Sequence, residues 1–130
     1  MHKVFVAVSV LALSAVAGCA FRNTSGVMVE KGRIDIEDPA FATNVEVVRD
    51  VMERNRRGFL HAQVVLKNTN RSDYRCQYRM EWRDRNGMIQ KHQASPWTNL
   101  EMRGREEVEI DEVSTLDDSA DFRLKIRRAD

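Results

Sequence analysis

Over residues 74–84, Tyr74, Cys76, Tyr78, Met80 and Trp82 alternate without a break with Arg75, Gln77, Arg79, Glu81 and Arg83. Successive side chains on an extended strand point to opposite faces, so a period of two over this length requires a β-strand with one face in a core and one in water. A helix would scatter the same residues around its circumference. Asp84-Arg85-Asn86-Gly87 follows directly, and Asn-Gly accommodates the positive φ angles of a tight hairpin, so the sequence predicts a reversal here. Residues 88–93 are the expected return strand, weakly patterned as an edge strand is.

The rest of the chain repeats this pattern in shorter pieces. Residues 59–67 place Leu60, Ala62, Val64 and Leu66 on one face, and the polar run from Asn68 to Asp73 predicts a turn that pairs this strand with the Tyr74 strand. In 45–52, Val45, Val47, Val48, Val51 and Met52 break strict alternation, which leaves a bulged strand or a short helix, the strand being preferred. Arg54-Asn55-Arg56-Arg57-Gly58 reads as a hairpin loop. Ser95-Pro96-Trp97 interrupts pairing because proline has no amide donor, and Arg103-Gly104-Arg105 marks a turn after Leu100 and Met102. Residues 107–113 alternate Val108 and Ile110 with Glu107, Glu109 and Asp111. Residues 121–127 turn Phe122, Leu124 and Ile126 inward and Arg123, Lys125 and Arg127 outward, after a loop at 115–120 with room for one helical turn. Six to eight short strands with no long amphipathic helix predict an all-β, immunoglobulin-like antiparallel β-sandwich over 32–130.

The N-terminus has a different logic. Lys3 gives a positive start and Val4 to Ala17 is a run of fourteen apolar or small residues, the layout of a secretory signal peptide and too short to span a bilayer comfortably. The run ends in Val16-Ala17-Gly18-Cys19, which resembles the lipobox of bacterial lipoproteins. That resemblance implies cleavage after Gly18 and acylation of Cys19 (palmitate among the chains), and Ala20 in place of an aspartate implies the outer membrane, periplasmic face. Several buried acyl chains, at about 0.8 kcal/mol per methylene, make a durable anchor where one chain would not. The expected organisation is a signal peptide at 1–18, a lipidated cysteine and flexible tether at 19–31, and one domain at 32–130.

With Cys19 committed to lipid, Cys76 is the one thiol left, and its place on the alternating apolar face predicts burial. Lys3 is the one charge in the first eighteen residues, so the processed chain carries twenty basic and twenty acidic residues. This balance gives no basis for a phosphate-neutralising nucleic-acid binder or a polyanion mimic.

Val65-Leu66-Lys67-Asn68, Tyr78-Arg79-Met80-Glu81-Trp82-Arg83-Asp84, Gly87, Ser95-Pro96-Trp97 and Phe122-Arg123-Leu124-Lys125-Ile126 together resemble the uncharacterised bacterial lipoproteins of the YcfL type. The resemblance covers nearly all of the domain. It implies a periplasmic β-sandwich without known catalytic residues. Because the family's gene lies near that of a lipoprotein activator of peptidoglycan synthases, it also implies a cell-wall partner by association. It supplies no site residue.

Catalytic chemistry is sparse. His61 and His92 stand on different predicted strands without metal-ligand spacing, and Asp111, Glu112, Asp117, Asp118 and Asp121 lack the spacing and glycine turn of a calcium loop, so they read as solvated groups. No serine sits in a Gly-x-Ser-x-Gly elbow, and Gly58, Gly87 and Gly104 are isolated turn glycines. No metal or cofactor is indicated.

The wet face of the central strand offers more. Arg75, Arg79 and Arg83, with the second basic row of Arg123, Lys125 and Arg127, suit recognition of carboxylates such as those of peptidoglycan stem peptides, or of lipid phosphates. The plain alternative is sheet surface paired with Glu107, Glu109 and Asp111. Trp97 reads as a core plug first and a surface anchor second, and Trp82 as core. The candidate partner-binding residues are therefore Arg75, Arg79, Arg83 and Trp97. The expected function is a non-enzymatic binding or scaffold module tethered in the envelope, docking by this face or by the 88–93 edge. The alternative is a ligand carrier or enzyme that takes lipid, glycan or peptide in a pocket of the sandwich.

Overall fold

Residue 74 does begin a strand whose even-numbered side chains enter the core. The computed structural model describes residues 27–91 and 96–129, so Cys19, most of the expected tether, His92 and Ser95 lie outside the described residues. In it β1 (Met28–Lys31), β2 (Ile34–Glu37), the short helix α1 (Pro39–Thr43), β3 (Val45–Arg54), β4 (Leu60–Asn68), β5 (Tyr74–Arg83), β6 (Thr98–Met102), β7 (Glu107–Val113) and β8 (Asp121–Arg128) follow in order. One sheet runs β1-β2-β8-β5-β6 and the other β3-β4-β7. Ile34, Ile36, Ala62, Val64, Leu66, Met80, Phe122, Leu124 and Ile126 meet between them without solvent exposure. At about 25 cal/mol per Å² of apolar surface removed from water, this shared interior is what holds the two layers together.

The sandwich is the expected one, with a mixed element: β2 lies parallel to β8, pairing Ile34 with Leu124 and Ile36 with Ile126. All other ladders are antiparallel. Strands β3 to β8 follow the A-B-C-C′-E-F path of an immunoglobulin domain, and β2 stands beside β8 where strand G would. The last four residues of the segment read as tether form β1. The broken alternation of β3 is a bulge between Val47 and Arg49.

Two expected pairings are not made. Strand β4 pairs with β3 and β7 rather than with the Tyr74 strand. The turn after it crosses from one layer to the other because the buried Asn68 side chain fastens it there. Asn68 Nδ2 donates to Ser72 O at 2.8 Å and Met102 O at 3.0 Å, and its Oδ1 accepts from Asn70 N at 2.9 Å.

Of the expected 88–93 return strand, the described residues 88–91 make one bridge, Arg83 to Ile89. The Asn-Gly turn itself forms, with Gly87 at φ 79° and Asp84 Oδ1 accepting from Asn86 N and Met88 N. The chain then leaves β5 because Gln90 is drawn into a buried knot, its amide donating to Asp118 and its carbonyl accepting from the Ser119 hydroxyl at 2.6 Å. The neighbour of β5 on that side is β6, which is therefore the sheet's edge in place of the expected 88–93 segment.

Candidate binding surface

Outward-facing positions of β5 and β8 interleave in register: Gln77 opposite Arg127, Arg79 opposite Lys125, Glu81 opposite Arg123 and Arg83 opposite Asp121. The result is one continuous charged face with two unlike ends.

At one end every cation has a carboxylate. Arg123 grips Asp35 with Nε at 2.9 Å and Nη2 at 2.5 Å and also reaches Glu30 at 3.5 Å. Arg83 Nη2 meets Glu81 at 2.9 Å, Lys125 meets Glu81 at 3.4 Å, and Arg33 meets Asp121 at 2.9 Å. Asp35 and Glu81 point away from the core yet are only 6% and 3% exposed, because the long stems of their partners lie over them. The Asp35 hydrogen bonds raise the Arg123 pKa further, so this charge is permanent. The pairing with Glu107, Glu109 and Asp111 expected from sequence is not made. Those residues lie on β7 in the other sheet, where Gln63 Nε2 donates to Glu109 at 2.5 Å and His61 contacts Asp111.

At the other end the cations meet an aromatic ring instead. One residue before the Thr98–Tyr78 pair that opens the β5–β6 ladder, the chain lays Trp97 across the outer face. The Arg127 guanidinium carbon lies 3.9 Å from the Trp97 ring centroid and that of Arg79 lies 5.7 Å away. Arg127 is oriented by Gln77, whose Oε1 accepts from Nε at 3.1 Å and Nη2 at 2.9 Å, and Gln77 Nε2 donates to Asn99 at 3.2 Å. Arg79 Nε is buried and has no hydrogen-bond partner among the described residues. No ion pair links Arg75, Arg79 or Arg127 to a carboxylate among the described residues. A groove of ≈ 590 Å³ borders this end, lined by Arg75, Gln77, Asn99, Leu100 and Glu101 among others.

Residues 32–128 match the model of a family described as Protein of unknown function (DUF1425). The chain belongs to this family. Among solved structures this DUF1425 chain is similar to Campylobacter jejuni Cj0090, at 19% identity and a TM-score of 0.65 over 75% of this chain and 99% of that one. It is also similar to a DUF1425 family member from Shewanella sp. PV-4, at 23% identity and a TM-score of 0.59 over 83% of this chain and 93% of that one. Both likenesses concern the fold. No curated protein matches the chain.

Of the residues singled out from the DUF1425 sequence, Arg79 and Trp97 are brought together and exposed Arg75 stands in the bordering groove. Arg83 is set apart on Glu81. Trp97 is half-buried on the outer face and does not plug the core, whereas Trp82 does lie in the core at 4% exposure. Arg127 had no mark in the sequence beyond membership of the second basic row, since its partners Gln77 and Trp97 are remote in the chain.

The Cys76 thiol is buried, as its strand position predicted. Among the described residues no group of His, Cys, Asp and Glu is placed to hold a metal ion. Also among them, no helix is long and apolar enough to cross a membrane. Asp118 and Asp121 are engaged by Gln90 and Arg33.

Proposed function

We propose that this protein is a lipid-anchored binding module of the bacterial envelope, of the YcfL type, that works by surface contact rather than catalysis. Acylation of Cys19 fastens it to the periplasmic face of the outer membrane, and the outer face of the five-stranded sheet meets the partner. The observation that carries this reading is the contrast along that face: cations paired to carboxylates at one end, and at the other the guanidinium groups of Arg79 and Arg127 gathered on Trp97 with no carboxylate paired to either among the described residues. Natural surfaces enrich arginine and tryptophan where partners bind. The filled interior supports contact at this surface over a ligand enclosed between the sheets. The family resemblance makes the peptidoglycan-synthesis machinery the partner to test first.

A photocrosslinking residue at position 75, in cells, gives an adduct with an envelope protein identified by mass spectrometry, and the same residue at Gln63 on the opposite sheet does not. Equal adducts from both positions, or none from position 75, refute the surface. Labelled palmitate enters the wild-type chain and not Cys19→Ser; a wild-type chain that takes up no label refutes the anchor.

A further inference from the structure

Resting on that surface reading, we infer that Arg79, Trp97 and Arg127 form a carboxylate-binding site whose ligand is an acidic peptide segment running along the β5–β6 end of the outer face. Three observations converge on it.

The first is electrostatic. Both guanidiniums are permanently charged, and both lie within 6 Å of one ring centroid. Cation–π attraction of about 0.5–2 kcal/mol holds each to the indole, but it leaves two like charges gathered on one ring. A carboxylate bound at this end offsets the repulsion and adds charge-assisted hydrogen bonds. Every other cation within the β8 ladder that faces this side, Arg123 and Lys125, already has that arrangement with an internal acid.

The second is an unmet donor. Arg79 Nε is the one buried side-chain nitrogen or oxygen without a hydrogen-bond partner among the described residues. Buried polar groups in native proteins are satisfied almost throughout, so such an atom marks a place for an acceptor from beyond the described residues.

The third is preparation. Gln77 takes two of the Arg127 donors and is itself held by Asn99. The guanidinium orientation is therefore set before any ligand arrives, which lowers the ordering cost of binding. The bordering groove continues past Gln77 and Asn99, whose side-chain amides match the backbone groups of an extended peptide. Exposed Glu101 stands opposite Arg75 in the same groove. It disfavours a dianionic phosphate more than a singly charged carboxylate.

The test uses the full chain carrying Cys19→Ser, labelled with ¹⁵N at arginine and tryptophan, and a blocked tetrapeptide with two glutamates. The Arg79 Nε–H and Trp97 indole resonances shift saturably with this peptide and stay in place with its glutamine analogue. Arg79→Gln and Arg127→Gln each weaken binding by about tenfold, the loss of one charged hydrogen bond. Arg56→Gln, on the β3–β4 loop, leaves affinity unchanged. Both site variants keep the wild-type amide spectrum in β8, since neither side chain belongs to the core. Equal shifts with the glutamine peptide, no loss in Arg79→Gln, or tighter binding of inorganic phosphate or phosphatidylglycerol vesicles each overturn the assignment. If the peptide fails while crosslinks from position 75 persist, the ligand class is wrong and the docking surface stands; if both fail, both are wrong.

Discussion

Arg123 and Asp35 join two strands that run in the same direction, with Nε and Nη2 of the guanidinium on separate carboxylate oxygens at 2.9 and 2.5 Å. The pair fastens the N-terminal hairpin to β8 over a ladder of only three residue pairs. Asp35→Asn keeps the shape and removes the charge, leaving a mostly covered guanidinium with only exposed Glu30 as its direct counter-ion. We expect a loss of about 2 kcal/mol, measured by urea unfolding. A cycle with Arg123→Gln should show coupling between the two sites.

Asn68 is 0% exposed and supplies hydrogen bonds to the carbonyls of Ser72 and Met102. Asn68→Leu strands the buried Met102 carbonyl away from water, and frees that of exposed Ser72, at the point where the chain changes sheets. The expected cost is about 2–3 kcal/mol, read as a lowered unfolding midpoint. Met102 amide exchange should accelerate alongside it.

Burial first, and then the hydrogen bond its hydroxyl donates to Glu112 at 3.1 Å, push the Tyr78 phenol above its ordinary value of 10.0. The folded chain therefore holds this proton at a pH where the unfolded chain has released it. The associated stability is complete below 10.0 and is lost as pH rises from there through the folded value. Tyr78→Phe has no such proton. The stability gap between wild type and Tyr78→Phe should be constant below pH 10.0 and shrink above it, measured by denaturant titrations across that range.

A methyl group on Gly104 would sit 2.1 Å from the Arg71 carbonyl oxygen and 2.6 Å from its carbon, both backbone atoms that cannot swing aside. Gly87 has open space around it but a φ of 79°. Gly104→Ala should cost about 3 kcal/mol through steric displacement. Gly87→Ala should cost about 1 kcal/mol through left-handed backbone strain. Thermal unfolding of the two variants gives the order, and the reverse order would contradict the packing at Arg71.

What could be read in the chain was local. Alternation located β4, β5, β7 and β8, the doubled Val47-Val48 marked the bulge in β3, and Asn86-Gly87 marked a real turn. Partner choice was not local. Nothing near Leu66 says that it faces Val108 on β7 rather than a residue of β5. Ile34-Asp35-Ile36 is too short to announce a strand until Leu124 and Ile126 lie beside it. The helix Pro39–Thr43 is likewise a small device, capped by Asp38 at its start, and Lys31 donates to Ala42 O and Val45 O at its end. The binding surface divides in the same way. Alternation turned Arg79 to solvent, but the meeting of Trp97 with Arg127 depends on the registers of β6 and β8 against β5.

Strand β8 stands between β2 and β5, in the middle of the five-stranded sheet, yet it is the last of the described strands to leave the ribosome. A nascent chain that stops short of Asp121 holds the flanks of that sheet with no seam to join them, and the long loop from Ile34 to Leu124 closes only once β8 has been made. Folding is thus postponed until β8 is available to join the flanks. The same arrangement exposes any product truncated within β8 to proteolysis.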